Sequence, residues 1–232
     1  HNGDYNDVDR DVELWQSLRF LDDPCCTACG YPFDFAPIQG LTVESAENLC
    51  VRCTAYRPKF DHARAAIAYD ENSRKIVLDF KHGGRTDGLD FFARQLLRAG
   101  YKYLQDADVL MPVPLHSARL RKRKFNQAAL LARALSKICA VPYDTNTLLR
   151  HKNTVSQGGQ SFLGRRRNVA NAFKVSSNHA PNLQGKHVVL IDDVYTTGST
   201  LTACTQVLKR AGVRRVDALT LMRVVTPVEM PK

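Results

Sequence analysis

The chain has 232 residues, 44% of them hydrophobic and 24% charged, which suits one globular α/β domain with a small appendage. Its formal net charge of +10 favours polyanionic partners such as nucleic acid, phosphates or an acidic membrane surface, although an ordinary basic protein would carry the same charge. No apolar run reaches about 18 residues, so no membrane span is predicted. Seven cysteines without a secretory signal favour thiols or metal ligands over a disulfide framework.

Residues 1–23 are predicted to form an acidic stretch that leads into a short amphipathic helix over Val12–Leu21. The apolar face of this helix consists of Val12, Leu14, Trp15, Leu18 and Leu21. Asp22, Asp23 and Pro24 end it. The first residue is His1 rather than methionine, which leaves open whether added residues precede the natural chain.

Residues 24–58 are predicted to form a small metal module. Two Cys-x2-Cys pairs, separated by twenty residues, supply the candidate zinc ligands Cys26, Cys29, Cys50 and Cys53. Gly30 suits a knuckle that requires a positive φ. Cys25 is an alternative to Cys26, but it would need a Cys-x3-Cys turn, so Cys26 is preferred. Four protein ligands leave no open position, so the predicted zinc is structural; the alternative is four buried thiols.

Residues 59–226 alternate between buried strands and amphipathic helices, which predicts a mostly parallel sheet flanked by helices. The predicted strands are Ala63–Tyr69, Val109–Leu115, Tyr143–Leu149, Val188–Ile191 and Val216–Val225. The predicted helices are Ser73–Phe80, Gly88–Leu104, Ala128–Cys139 and Leu201–Arg210, the last ending at Gly212. A mobile basic loop is expected over Arg150–Phe173, and residues 227–232 are expected to form a frayed tail.

The most informative stretch is VVLIDDVYTTGST, from Val188 to Thr200. A strand buried on both faces is followed by Asp192 and Asp193, at the sheet edge where open α/β folds bind ligands. The small polar residues that lead into the next helix are Thr196, Thr197, Gly198, Ser199 and Thr200. Such a turn can hold a phosphate on its backbone N–H groups. The pattern predicts a ligand with a phosphate and either vicinal hydroxyls or a divalent metal; an ordinary turn is the alternative.

Three further groups of cations are candidate phosphate contacts. Lys81 precedes two glycines, and a solvated helix end explains it equally well. The triplet Arg165, Arg166 and Arg167 lies in the predicted mobile loop, which could close over an anion. The third group is a basic run before a helix, made of Arg119, Arg121, Lys122, Arg123 and Lys124. With Phe125 available for stacking, this run suits a nucleic-acid backbone, although a solvated segment and a core phenylalanine are the ordinary explanations.

Val188–Thr200 resembles the phosphoribosyl-pyrophosphate (PRPP) signature of type I phosphoribosyltransferases. Nearly the whole chain from Cys26 to Val225 resembles the ComF family. The matching segments are CTACG from Cys26, LCVRC from Leu49, FKHGGR from Phe80, PVPLHSARLRKRKFNQAALLARAL from Pro112, QGGQSFLGRRRNVANAF from Gln157, and VLIDDVYTTGST. One departure is Lys124, at a position where the family usually has glycine.

The resemblance implies a type I phosphoribosyltransferase fold preceded by a small four-cysteine zinc module. It implies that Asp192 and Asp193 contact the ribose hydroxyls of Mg²⁺-bound PRPP, and that Thr196–Thr200 wraps the 5′-phosphate. It further implies a pyrophosphate loop made of Pro112, Val113, Pro114, Leu115 and His116. Lys81 and Arg123 would be further phosphate contacts, and Arg165–Arg167 would lie in a flexible loop.

Members of the ComF family are associated with natural transformation, in which they act on incoming single-stranded DNA at the cytoplasmic side of the membrane. The resemblance therefore implies a cytoplasmic protein that handles single-stranded DNA and binds PRPP and Mg²⁺. A competence helicase is a candidate partner that would bring it to the inner face of the membrane. The alternative is an active phosphoribosyltransferase on a nucleobase or related acceptor. The sequence specifies no acceptor, and a complete PRPP site does not prove catalysis.

Overall fold

The structure is a computed structural model that describes residues 16–33, 48–74, 88–152 and 171–225, without the side chain of Lys122. Its strands are β1 (His62–Tyr69), β2 (Val109–Pro112), β3 (Leu148–Arg150), β4 (Phe173–Val175), β5 (His187–Tyr195) and β6 (Arg215–Val224). Its helices are α1 (Val51–Ala55), α2 (Leu89–Leu104), α3 (Ser117–Arg123), α4 (Gln127–Cys139) and α5 (Ser199–Arg210), with a 3₁₀ turn at Ala180–Leu183. Among the described helices, none has both the length and the apolar character needed to cross a bilayer.

Among the described residues, the central sheet contains four strands in the order β1-β6-β5-β2, and every pair of neighbours is parallel. Strand β5 lies inside the sheet, where Ile191 pairs with Pro112 on one side and Leu219 on the other. The carboxyl ends of all four strands therefore meet at one edge. This arrangement confirms the parallel sheet predicted from the alternation of strands and helices.

Both faces of this sheet are covered, one by α5 and the cysteine-rich segment and the other by α2 and α4. Along β5, Val188 and Leu190 belong to the core that includes α5 and the cysteines, whereas Val189 and Ile191 belong to the core that includes α2 and α4. All four side chains are fully buried. Double-sided burial is the reason that this strand is an uninterrupted apolar run rather than an alternating one.

The prediction of a helix over Val12–Leu21 is wrong at its carboxyl end, where Phe20 and Leu21 are extended. Phe20 forms an antiparallel bridge with Ile67, and the Leu21 N–H donates to the Ala66 carbonyl at 3.0 Å. Strand β1 lies at the edge of the sheet, so its outer backbone groups need partners or solvent. An extended segment supplies partners that a helix cannot, because a helix uses its own backbone groups internally. Residues 1–15 lie outside the described part.

Strands β3 and β4 form a separate antiparallel pair instead of joining the central sheet. The predicted strand Tyr143–Leu149 is therefore shorter than expected, and only Tyr143 bridges to Leu110 of β2. Arg150 and Phe173, the two ends of the predicted mobile loop, pair with each other across this ladder. Residues 153–170 of that loop lie outside the described part, as do residues 75–80 of the helix predicted over Ser73–Phe80.

A buried network of charged groups lies at the amino ends of the strands, opposite the end where their carboxyl ends meet. The carboxylate of Asp217 is fully buried and lies 2.9 Å from His187 Nε2, 3.0 Å from His62 Nδ1 and 2.8 Å from Arg215 Nη2. Burial opposes ionisation of Asp217, but the hydrogen bonds of His187 and His62 and the charge of Arg215 hold its pKa well below the usual range. The network joins the amino ends of β1, β5 and β6.

We predict that Asp217→Asn lowers the free energy of unfolding at pH 7 by about 3–5 kcal/mol, because it removes the anion from a buried set of cations and histidines. Since the folded state lowers the pKa of Asp217, its contribution is complete above the unfolded value of about 4 and declines as the pH falls below it. Urea unfolding at pH 7 and near pH 3 should therefore show a smaller difference between wild type and variant in acid.

The control for this prediction is Asp90→Asn, which changes an exposed carboxylate in the first turn of α2 and should cost less than about 1 kcal/mol. A loss of under 1 kcal/mol for Asp217→Asn, or a difference that grows on acidification, would contradict the role assigned to the network.

Candidate functional site

The two acids of the signature lie on strand β5 itself, because the strand continues to Tyr195 instead of ending at Ile191 as predicted. The last β2 residue pairs with Ile191, so β5 extends beyond β2 while β6 still pairs with it. Backbone N–H groups hold both carboxylates: Asp193 N donates to Asp192 Oδ1 at 2.9 Å, and Val194 N donates to Asp193 Oδ1 at 2.8 Å. The half-buried acids are thus positioned by a paired strand.

The predicted phosphate loop, Thr196–Thr200, makes a tight turn into α5. Gly198 caps the helix with φ 74°, and a Cβ atom there would lie 2.5 Å from the Tyr195 hydroxyl. Both the left-handed conformation and the close contact require glycine. The Thr197 and Ser199 hydroxyls lie 2.8 Å apart. Since the first N–H groups of a helix have no intrahelical acceptors, this turn has the geometry of a phosphate-binding loop.

A cleft of about 210 Å³, here called the carboxylate cleft, opens beside the two acids. Its lining includes Asp192, Asp193, Thr200, Val113, Leu115, Arg119, Arg123, Asn126 and Arg150. It therefore collects residues from the signature, from the predicted pyrophosphate loop and from the basic run. Thr196, the first residue of the phosphate loop, is exposed and does not line the cleft.

The predicted pyrophosphate loop continues from β2 along the carboxylate cleft. Val113 N donates to the Ile191 carbonyl at 2.8 Å, and Asn126 Nδ2 donates to the Val113 carbonyl at 3.0 Å. Val113 and Leu115 line the cleft, whereas Pro112 is the last residue of β2 and Pro114 is half-buried. His116 caps α3, since its Nδ1 accepts from Ala118 N at 3.3 Å.

The basic run is helical, since most of it forms α3. Arg119 and Arg123 are four residues apart on one face of α3 and both line the carboxylate cleft, whereas Arg121 is exposed. The helical period therefore divides the run, directing two of its cations to the cleft and at least one to solvent.

Lys124 caps α3 in the left-handed conformation, with φ 65°, and its N–H donates to the Leu120 carbonyl at 2.7 Å. This conformation is one that glycine adopts without strain and that other residues rarely adopt. Phe125 is half-buried directly after the cap. Lys81 and Arg165–Arg167 lie outside the described residues, as does the side chain of Lys122.

Arg150 lines the cleft, although it belongs to none of the predicted site motifs. Its guanidinium lies 5.2 Å from the Phe173 ring centroid. Burial and the neighbouring charge of Arg119 lower the pKa of Arg150, and burial and Arg123 lower that of Arg119. Three like charges thus crowd one side of the cleft. No local pattern indicated Arg150, because the antiparallel pairing of β3 with β4 brings it there.

The four candidate zinc ligands come together as predicted. The Sγ atoms of the buried Cys26, Cys29, Cys50 and Cys53 all lie within 4.8 Å of one another, and Cys29 and Cys50 are 3.7 Å apart. Zinc–sulfur bonds of about 2.3 Å in a tetrahedron place sulfurs about 3.8 Å apart, so the donor set fits zinc. Gly30 has the predicted positive φ, 70°. Cys25 lies outside the cluster, and its thiol donates to Asp23 at 3.1 Å.

Two arginines connect this cluster with the phosphate loop. Arg223, only 3% exposed, donates to the Cys29 carbonyl, lies 3.6 Å from Cys29 Sγ, and places its guanidinium 4.3 Å from the Tyr195 ring centroid. Arg52 of α1 donates from Nη2 to the Thr197 carbonyl at 2.8 Å. The cysteine-rich segment therefore packs against the phosphate loop through these two arginines.

We predict about one equivalent of zinc per chain, lost in Cys50→Ser and retained in Cys25→Ser, because only the first change removes a sulfur from the cluster. Elemental analysis of the purified proteins measures the metal. Cys25→Ser is a matched control, since Cys25 is also a buried thiol of the same module. A folded wild-type protein that cannot take up zinc, or equal zinc loss in both variants, would contradict this prediction.

Comparison with known proteins agrees with this architecture. Residues 87–231 match the family described as phosphoribosyl transferase domain. The chain is 33% identical over 221 residues to competence protein F of Haemophilus influenzae, with 89% of this chain and 93% of that protein covered. It is 35% identical over 204 residues to DNA utilization protein YhgH of Escherichia coli O157:H7, covering 86% and 88%. It is 27% identical over 214 residues to competence protein ComFC of Bacillus subtilis, covering 89% and 80%.

These similarities extend over most of the chain and of each relative. The parallel sheet with flanking helices is the type I phosphoribosyltransferase fold, as predicted. The chain therefore belongs to the ComF family of competence proteins and carries a phosphoribosyltransferase domain.

Proposed function

We propose that this protein binds PRPP with Mg²⁺ in the carboxylate cleft and handles incoming single-stranded DNA during natural transformation. One observation carries the first half: Asp192 and Asp193 lie in the same cleft as Arg119, Arg123 and Arg150, beside the phosphate loop. Carboxylates and crowded arginines together suit a ligand that has both hydroxyls and strong negative charge.

Each part of PRPP has a counterpart in the cleft or in the turn beside it. The N–H groups of the Gly198 turn suit the 5′-phosphate, as helix amino ends bind anions. The carboxylates of Asp192 and Asp193 suit the vicinal hydroxyls of the ribose and, as hard oxygen ligands, the hydration shell of Mg²⁺. Arg119 and Arg150 suit the pyrophosphate, because guanidinium groups bind phosphate oxygens in pairs. Bound Mg²⁺ would supply further charge neutralisation at the pyrophosphate.

The proposal about DNA rests on charge and on relatives. The formal charge of +10 favours a polyanion. The similar proteins are named competence proteins and a DNA utilization protein. We propose that the protein acts in the cytoplasm and reaches the inner face of the membrane through partners, with the competence helicase as the candidate partner.

The PRPP site predicts different effects for two arginines of one helix. Arg119→Gln should weaken Mg²⁺-dependent PRPP binding about ten- to a hundredfold, because it removes a charge-assisted hydrogen bond of about 1.5–3 kcal/mol. Arg121→Gln, on the exposed side of α3, carries the same change in charge and should bind like wild type. Isothermal titration calorimetry measures both. Equal affinity in the two variants, or no PRPP binding by the wild type with Mg²⁺, would contradict the site.

The second candidate function is phosphoribosyl transfer to a nucleobase, favoured by the completeness of the carboxylate cleft. It predicts release of pyrophosphate from PRPP when an acceptor base is supplied, and loss of that release in Asp193→Ala, since a carboxylate that holds the ribose is removed. A panel of purine and pyrimidine bases with a pyrophosphate assay tests it. If the protein binds PRPP but releases no pyrophosphate with any base, it is a ligand-binding protein and the transferase function is excluded.

A further inference from the structure

Arg52 joins the candidate zinc site to the phosphate loop. It lies in α1 between the candidate ligands Cys50 and Cys53, and its Nη2 donates to the Thr197 carbonyl at 2.8 Å. The turn of α1 is closed by Cys53 N, which donates to the Cys50 carbonyl at 2.9 Å. Two of the four predicted metal bonds therefore lie on either side of the residue that contacts the loop.

The hydrogen bond from Arg52 also determines the direction of one N–H group of the loop. The Thr197 carbonyl and the Gly198 N–H belong to one planar trans peptide unit, in which the two groups point in opposite directions. Since the carbonyl points to Arg52, the Gly198 N–H points away from the cysteine-rich segment. Gly198 caps α5, so this N–H belongs to the helix end that suits the 5′-phosphate.

Arg223 makes a second connection between the two sites. Its guanidinium donates to the Cys29 carbonyl, lies 3.6 Å from Cys29 Sγ, and lies 4.3 Å from the Tyr195 ring centroid. The Tyr195 hydroxyl packs against Gly198, where a Cβ atom would lie 2.5 Å from it. One connection therefore starts at each Cys-x2-Cys pair, and both end at the same turn of the phosphate loop.

The cysteine end of both connections depends on the predicted metal. Cys29 and Cys50, whose sulfurs are 3.7 Å apart, could form only a weak S–H hydrogen bond without it. Zinc–thiolate bonds are much stronger, and the free energy of binding structural zinc orders the segments that supply the ligands. Helix α1 and Arg52 are therefore held more firmly in the zinc-bound protein.

We propose that Arg52 is a positioning residue of the phosphate loop, and that zinc and PRPP bind with positive coupling through it. This inference rests on the proposed PRPP site and makes the affinity of that site depend on zinc. Without zinc, the peptide unit between Thr197 and Gly198 loses its fixed orientation, and the 5′-phosphate binds less tightly. Coupling between two binding equilibria is reciprocal, so PRPP must raise the affinity for zinc by the same factor.

The experiment measures this factor on the full chain. A zinc-selective chelator competes for the metal with and without saturating PRPP and Mg²⁺, and samples without protein correct for zinc that PRPP itself binds. The wild type should bind zinc about tenfold more tightly with PRPP, within the usual range of coupling between sites. In Arg52→Gln the factor should fall below about twofold, although all four cysteines remain. Arg52→Lys keeps a cationic donor and should restore part of the factor.

Arg64→Gln is the matched control. Arg64 also donates to the cysteine-rich segment, at the Cys26 carbonyl (3.3 Å) and the Thr27 carbonyl (3.4 Å), but none of its described hydrogen bonds reaches the phosphate loop. This variant makes the same change in charge and should keep the wild-type factor even if zinc affinity itself falls. Coupling through global unfolding would persist in both glutamine variants, since every ligand of the folded state stabilises it. Melting temperatures verify that the variants are folded.

The outcomes separate this inference from the function on which it rests. A wild type that binds PRPP but shows a coupling factor near one overturns the inference and leaves the PRPP site intact. A wild-type factor in Arg52→Gln, or an equal loss in Arg64→Gln, overturns the role of Arg52. Absence of PRPP binding by the zinc-loaded wild type overturns the proposed function and this inference together.

Discussion

The parallel pairing of β5 on both of its sides is the constraint on which the candidate site depends. Strand β2 pairs only as far as Ile191, whereas β6 pairs with β5 up to Tyr195. Asp192 and Asp193 therefore lie on a backbone that is still fixed by hydrogen bonds, yet next to space that the missing continuation of β2 leaves open. Rigid support of this kind holds functional side chains more accurately than a loop would, and the carboxylate cleft forms where β2 stops.

The cysteine module and the phosphate loop behave as one packed unit in this structure. The guanidinium of Arg223 is almost completely buried, and a buried cation is costly unless an anion or strong acceptors surround it. Its neighbours are the Cys29 carbonyl and sulfur and the face of Tyr195. Four thiolates around zinc carry two net negative charges, which would balance it. Tyr195 in turn packs against Gly198, where a larger residue would collide with its ring. The candidate metal site and the phosphate loop therefore both contact Tyr195 or its neighbour Arg223.

The charge of the protein is distributed unevenly among its clefts. On one side of the phosphate loop, arginines and two carboxylates face the same space, which suits a metal-bound sugar phosphate. On the other side, the described lining combines the cations Arg52, Arg57 and Lys59 with Cys29 and Cys53 of the cysteine cluster. A further cleft, lined by Tyr101 and Lys102 among others, contains Arg98 and Arg64, which pair with Asp22 and Asp23. Net charge alone could not distinguish these surfaces, because the sum of charges contains no information about position.

The sequence by itself determined the parallel sheet, the turn of small residues that leads into α5 and the choice of Cys26 over Cys25, since each depends on spacing or periodicity within a short segment. Tertiary structure alone decided which distant residues join them. Arg150 reaches the cleft through the pairing of β3 with β4, and Arg52 meets Thr197 across 145 residues of sequence. The Phe20–Leu21 segment is extended because the edge of β1 supplies its hydrogen-bond partners, against its helical pattern. Local patterns specify backbone conformation, whereas contacts between remote segments arise only once the sheet has packed.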